Sequence, residues 1–284
     1  MQQKEHVFIN GEFVPLEEAQ ISVTDRGLLY GDGFFTTMRA EKGDVFFLRE
    51  HLDRLKSSCN AFKISFPEQL HDPLLFKRLL KINGLLDKIA AVKILITRGD
   101  KQGLGLPYGE NPTYIVFAKQ YHPPLDAYKN GWKLVSFCFP RSSPISCHKS
   151  LNYLYNMWAR EYAVQRGADE AILIGADGYV KETSVGTILF QKEGKWFTPE
   201  GDDLLPSITL KMLSKILEKK GIAIERKKTK LEDLVSSDQV LVLNSLIGAV
   251  PVREIDNHIL PTFDHEFATQ CRTWLWSLLP QGGK

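Results

Sequence analysis

The sequence has no apolar run approaching the ~20 residues that a membrane-spanning helix requires. Its first residues, MQQKEHVFIN, lack the apolar core of a secretory signal. Charge of neither sign dominates: 36 Lys and Arg stand against 34 Asp and Glu, a formal net charge of +2. The charges are interspersed and the basic clusters are as short as Arg226-Lys227-Lys228, so no nucleic-acid footprint is indicated. Cysteine is scarce: Cys59, Cys138, Cys147 and Cys271 form no C-x-x-C pair, and no histidine cluster has zinc-ligand spacing. Neither a disulfide framework nor a metal centre is expected; reduced, mostly buried thiols are. Internal repeats and low-complexity tracts are missing too. Together these absences predict a cytoplasmic protein without a metal and without nucleic-acid or membrane partners.

What is there is an ordinary globular composition, 43% apolar and 25% charged over 284 residues, enough for two modest domains. VFIN, Gly11 and EFV read as a hairpin turning at Asn10-Gly11. GDGFFTTMRA (31–40) has strand composition, and Leu48, Leu52, Leu55 and Cys59 recur at helical spacing. A second helix is expected after Pro67, with strands near 90–98 and 113–119. The stretch YHPPLDAYKNG (121–131) changes texture; its paired prolines disfavour helix, and it reads as a linker. Beyond it, strands are expected at 132–139, 169–174, 185–190, 239–243 and 247–252, with helices at about 150–166 and 208–220 and at the C-terminal end. Strands interleaved with helices in both halves predict two α/β-type domains, 1–120 and 132–284, joined by 121–131.

Several residues could carry chemistry, though each alone has an ordinary reading. Lys149, in SCHKSLNYLYN, precedes a predicted helix whose stripe is Leu151, Leu154 and Trp158. A lysine that forms a Schiff base must be partly desolvated or lie near positive charge, yet a lysine at a helix start is usually solvated. Glu182, in GYVKETSVGT, could face a pyridine nitrogen or simply follow the Asp177-Gly178 turn. Ser207 in LLPSITLKML can cap a helix, leaving the next amides as donors for an anion. Arg54 in EHLDRL could pair with a phosphate or form a salt bridge on a helix face.

The order of these motifs is more telling than any one of them. KSLNYL, then GADEAILIGADGYVKETS, then LLPSIT resembles the class IV aminotransferase signature of the fold-type IV pyridoxal-phosphate enzymes. The resemblance extends from FINGEFVPLEEAQISVTDRGLLYGDGFF through EHLDRL to LVLNSLIGAVPVREID, nearly the whole chain. It implies an α/β (α+β) fold of two domains, a smaller N-terminal one and a larger cofactor-binding one, with the active site between them, and a homodimer. It implies pyridoxal 5′-phosphate as cofactor. Position by position, Lys149 matches the lysine that carries the cofactor, Glu182 the partner of the pyridine nitrogen and Arg54 the phosphate arginine. The amides of Ile208 and Thr209 and the Ser245 hydroxyl match the rest of the phosphate cup, and Tyr153 falls where some members set a tyrosine against the cofactor's phenolic oxygen. Two motifs depart from the family pattern: E-G-x-S-S-N is ETSVGT, with Thr187 in place of the asparagine, and L-P-G-I-T-R is LPSITL.

The family includes branched-chain and D-amino acid aminotransferases and 4-amino-4-deoxychorismate lyases, all acting on a small amino substrate. Phe35 and Thr37, on GDGFFTTMRA, are assigned to the substrate; Thr37 matches a lyase threonine near the reacting carbon, and Asn244 an asparagine that holds the lyase substrate. Against this, Leu104 occupies the place of the lyase's carboxylate arginine, so Lys93, Arg98 and Lys101 become the candidate cations. The expectation is a lyase releasing pyruvate and 4-aminobenzoate, with an amino-acid aminotransferase as the alternative.

Overall fold

The computed structural model describes residues 5–263 and 265–278; residues 1–4, 264 and 279–284 lie outside the described residues, and with them the outer ends of the two expected domains. The chain divides into two compact units. One holds the described residues up to His122 together with His148–Asn152, the other Pro123–Cys147 and Tyr153–Leu278.

In the first unit, Asn10 and Gly11 both take positive φ (48° and 101°), the conformation a two-residue hairpin turn demands, and join β1 (His6–Ile9) to β2 (Glu12–Pro15). Asp25 then caps the short helix α1 (Arg26–Tyr30) by accepting the Gly27 amide. There follow β3 (Gly33–Glu41), β4 (Asp44–Val45), α2 (Leu48–Ala61), α3 (Pro73–Ile82), β5 (Ala90–Thr97) and β6 (Tyr114–Gln120). The strands form one antiparallel sheet in the order β2-β1-β6-β5-β3-β4. Alternation along β3 sends Phe34, Met38 and Ala40 into a core shared with Leu52, Leu55 and Cys59 of α2 and Phe76 and Leu79 of α3. The other face of the sheet carries Phe35 and Thr37 opposite Leu95 and Lys93 of β5.

The second unit comprises α4 (Leu125–Asn130), β7 (Trp132–Ser136), α5 (Leu154–Val164), β8 (Glu170–Ile174), β9 (Val180–Thr183), β10 (Thr187–Lys192), β11 (Lys195–Pro199), α6 (Ile208–Glu218), β12 (Ile224–Lys227), α7 (Leu231–Val235), β13 (Gln239–Asn244), β14 (Gly248–Ile255), β15 (His258–Ile259) and α8 (His265–Ser277). Its mixed sheet runs β12-β11-β10-β13-β14-β7-β8-β9, with β15 against β14. The pairs β11–β12, β14–β7 and β7–β8 are parallel. Ile188, Phe190, Val240, Val242, Val250 and Val252 fill the core behind its central strands.

Three expectations change. Residues 121–131 are not a plain linker: α4 begins directly after Pro123-Pro124, where a ring without an N–H removes no helical hydrogen bond. Tyr128 of that helix donates to the Ile247 carbonyl at 2.9 Å, and Arg272 lies over its ring. The helix expected from about 150 starts only at Leu154, because the preceding residues pair with β3. And the thiols are not mostly buried: Cys59 and Cys271 are, whereas Cys138 is exposed and Cys147 half-buried; all four are free.

Candidate active site

Lys149, expected in the second domain, belongs to the first unit. Its segment runs along the free edge of β3: the Phe35 amide donates to the Lys149 carbonyl at 2.8 Å, the Leu151 amide to the Gly33 carbonyl at 3.0 Å, and Ser150 bridges Phe34 antiparallel. Gly33 permits this closeness, since a Cβ there would lie 2.4 Å from the Ile96 carbonyl oxygen and 2.9 Å from the Leu151 side chain. So anchored, Lys149 holds its amine 4.8 Å from the centroid of the buried Phe35 ring. Lys93 holds its amine 4.6 Å from the same centroid, and burial lowers its pKa. Thr37, directly opposite Lys93 on the paired strand, lies on the same face.

Arg54 lies on α2, behind β3. Its guanidinium donates to the Thr36 hydroxyl at 3.2 Å, and that hydroxyl lies 2.7 Å from Nδ1 of the fully buried His51. One turn on, the Ser58 hydroxyl donates to the Arg54 carbonyl at 3.2 Å and lies 2.9 Å from Nδ1 of His148, the neighbour of Lys149. The His148 ring is edge-on to Phe62 at 5.1 Å. These contacts fasten the lysine segment to the arginine helix. His51, Thr36, Ser58 and His148 escaped the sequence reading. A signal was present for one of them: His51 sits three residues after Leu48 and four before Leu55, a histidine on an apolar stripe.

In the second unit, Glu182 is on β9, the strand that follows the Asp177-Gly178 turn, and it is half-buried. Burial, then the carboxylates of Glu182 and Glu170, raises the Tyr153 phenol far above its usual range. The Tyr153 hydroxyl donates to the Ser184 carbonyl at 2.9 Å, which also accepts from Asn156 at 3.0 Å. Its proton is thus directed at the backbone beside Glu182, not held out as a donor. Ser184 is tied from the other side to the buried Glu170, which takes its amide and hydroxyl and the Arg160 guanidinium. Ser207 caps α6 by accepting the Leu210 amide, and the amides of Ile208 and Thr209 open the first turn. The Thr209 hydroxyl is 3.4 Å from that of Ser245, so one donor-rich corner gathers all three residues. Such a corner suits a phosphate: the first amides of a helix, which have no partner within it, with two hydroxyls beside them.

Two residues assigned to the substrate have protein partners of their own. Arg98 is fully buried. It forms a two-pronged pair with Asp32 at 2.7 and 2.9 Å and donates to the Phe62 and Pro107 carbonyls at 2.9 and 2.7 Å. That commits its guanidinium to holding a loop. Asn244 closes the β13–β14 turn: its side-chain oxygen accepts the Leu246 and Ile247 amides at 2.9 and 3.0 Å, and its amide donates to the Val185 carbonyl at 3.2 Å. Lys101, on the loop after Gly99, is only partly exposed. Among the described residues no cluster of three or more His, Cys, Asp or Glu could hold a metal, and no helix is long and apolar enough to cross a membrane.

The family model for amino-transferase class IV matches residues 33–255. A putative branched-chain-amino-acid aminotransferase of Methanocaldococcus jannaschii is 34% identical over 263 residues, 89% of each chain. A D-alanine aminotransferase of Staphylococcus haemolyticus is 33% identical, across 88% of this chain and 89% of that one. An aminodeoxychorismate lyase of Bacillus subtilis is 28% identical, across 88% and 86%. The structure of a branched-chain amino acid aminotransferase from T.th., complexed with N-(5′-phosphopyridoxyl)-L-glutamate, superposes with a TM-score of 0.84 at 26% identity, covering 96% of this chain and 93% of that one. The fold is therefore the two-domain, mixed α/β architecture of the fold-type IV aminotransferases, and the protein is an enzyme of the aminotransferase or lyase type. The chain belongs to the amino-transferase class IV family.

Proposed function

We propose that this enzyme is an amino-acid aminotransferase dependent on pyridoxal 5′-phosphate. When bound, the cofactor supplies an aldehyde for an amine and a ring that withdraws electrons. Lys149 would hold it covalently and would serve as the base for the proton at the substrate carbon. In this reading Arg54 is the arginine assigned to the phosphate, the Ile208 and Thr209 amides and the Ser245 hydroxyl are the donors assigned to it, and Glu182 would keep the pyridine nitrogen positive. Tyr153 steadies the backbone beside Glu182 by its bond to Ser184. Phe35 forms an apolar floor, and Lys93, whose amine stands over it, receives the substrate carboxylate. The reading carries a homodimer with it, for which Leu28, Leu29 and Tyr30 on α1, each more than half exposed, are a suitable apolar surface.

The observation that favours transfer over lysis is Asn244, whose side chain already makes three hydrogen bonds with the backbone at its turn. The lyase reading keeps one support of its own, Thr37 on the same face opposite Lys93. Products decide between them. Incubated with a panel of L- and D-amino acids and a keto-acid acceptor, the enzyme should exchange amine for ketone. Aminodeoxychorismate should give no 4-aminobenzoate; its release together with pyruvate, without any acceptor, overturns the proposal in favour of the lyase.

A further inference from the structure

We propose that Thr36, backed by His51, is the positioning residue for Arg54, its hydroxyl fixing the guanidinium that takes the cofactor's phosphate. The inference rests on the assignment of Arg54 to the phosphate. Thr36 lies on the core side of β3 and is 1% exposed. A threonine hydroxyl has one hydrogen and two lone pairs. Arg54 Nη2 donates to one lone pair at 3.2 Å, and Nδ1 of His51 lies 2.7 Å from the same hydroxyl, within hydrogen-bond distance in either ring tautomer. Burial, followed by the positive charges of Arg54 and Lys149, pushes the His51 pKa well below its ordinary value, in keeping with a neutral ring.

The Thr36 hydroxyl thus links the guanidinium to the imidazole. His51 and Arg54 are three residues apart on one side of α2, and β3 supplies Thr36 between them. Arginine is a long side chain that loses much freedom when a ligand immobilises it. Fixing it beforehand on a buried hydroxyl removes part of that cost and shows up as affinity for the phosphate. The sequence signature is a histidine inside the apolar helix face and a threonine on the core side of a strand, two polar residues that packing alone would not select.

Pyridoxal, which lacks the phosphate, separates this role from a structural one. Dissociation constants for pyridoxal phosphate and for pyridoxal are measured on the reconstituted full chain by absorbance. Thr36→Val keeps the shape and removes the hydroxyl; it should weaken pyridoxal phosphate about tenfold, the scale of one charge-assisted hydrogen bond, and leave pyridoxal unchanged. Thr36→Ser should restore the wild-type ratio. Should the valine variant not fold, Thr36→Ala reads the same quantity. Arg54→Gln is the reference and must abolish most of the preference for the phosphorylated form. If it does not, the phosphate assignment fails and the proposal with it. If Arg54→Gln loses the preference but Thr36→Val keeps it, or if Thr36→Val weakens both ligands equally, the positioning role alone is overturned.

Discussion

Lys149 holds its amine 4.8 Å from the centroid of the Phe35 ring while its own carbonyl accepts the Phe35 amide at 2.8 Å. Backbone and side chain of one residue are thus both referenced to another. The lysine's direction is set by a strand edge rather than by a flexible loop, as a covalent cofactor carrier requires. Borohydride reduction of the holoenzyme should fix the cofactor on Lys149 alone, as read by peptide mapping. Lys149→Ala should lower turnover at least ~10²–10⁴-fold, the range for removing a general acid–base group. A label on Lys93 in the wild-type protein contradicts the assignment.

Asn244 makes a different kind of prediction, because its side chain braces a turn. Asn244→Ala removes the acceptor for two amides and should cost roughly 1–3 kcal/mol of stability in urea unfolding. The choice among amino-acid substrates should not change. A variant of undiminished stability with altered substrate preference would instead return Asn244 to the substrate.

Arg98 and Asp32 form the buried pair that holds the Phe62 and Pro107 backbone in place. Burial alone would raise the Asp32 pKa, but hydrogen bonds and charge from Arg98 and Arg26 outweigh it, and the net shift is downward. A carboxylate with a depressed folded pKa contributes stability that is fully present above its unfolded value, about 3.9. That contribution is lost as pH falls from there through the folded pKa. Unfolding free energy measured below about pH 4 should therefore decline with a slope to which Asp32 contributes, and Asp32→Asn should flatten it. At neutral pH the same change strands a buried guanidinium and should cost about 3–5 kcal/mol. An unaltered acid slope in the variant counts against the pair.

Local chemistry made much of this molecule legible in advance. The Asn10-Gly11 hairpin, the Leu48–Cys59 helical stripe and the Ser207 cap each depend on residues within a few positions of one another. The motif order around Lys149, Glu182 and Ser207 revealed the family. Partners distant in sequence were the hidden part. Arg98 reads as a candidate cation for the substrate carboxylate until Asp32, 66 residues away, is seen to pair with it. The segment after His148 reads as the start of a helix until β3, more than a hundred residues earlier, offers an edge. Residues 121–131 read as a linker because prolines end helices, although the same prolines can begin one. Glu182 lies on a strand of four residues, too short for periodicity to reveal.

Lys93 carries the substrate-recognition part of the proposal, and three observations bear on it. It is directly opposite Thr37, its amine lies 4.6 Å from the Phe35 centroid, and burial lowers its pKa. With Arg98 paired to Asp32, Lys93 is the cation to which the proposal gives the carboxylate. Lys93→Gln should raise KM for the amino acid about 10–100-fold, the scale of a hydrogen bond to a charged group. The effect on kcat should be small, because a carboxylate is held alike before and during proton transfer. The sign of the pH effect follows from the charge. Only the protonated amine binds the carboxylate, so kcat/KM should fall on the alkaline side as Lys93 loses its proton, at a pH below the ordinary lysine value of about 10.4. Lys93→Gln should erase that limb and leave a uniformly low kcat/KM. Lys93→Arg, charged throughout the accessible range, should keep binding and move the limb to higher pH. If the alkaline limb stays unchanged in Lys93→Gln, another group receives the carboxylate, and Lys101 is the next cation to replace.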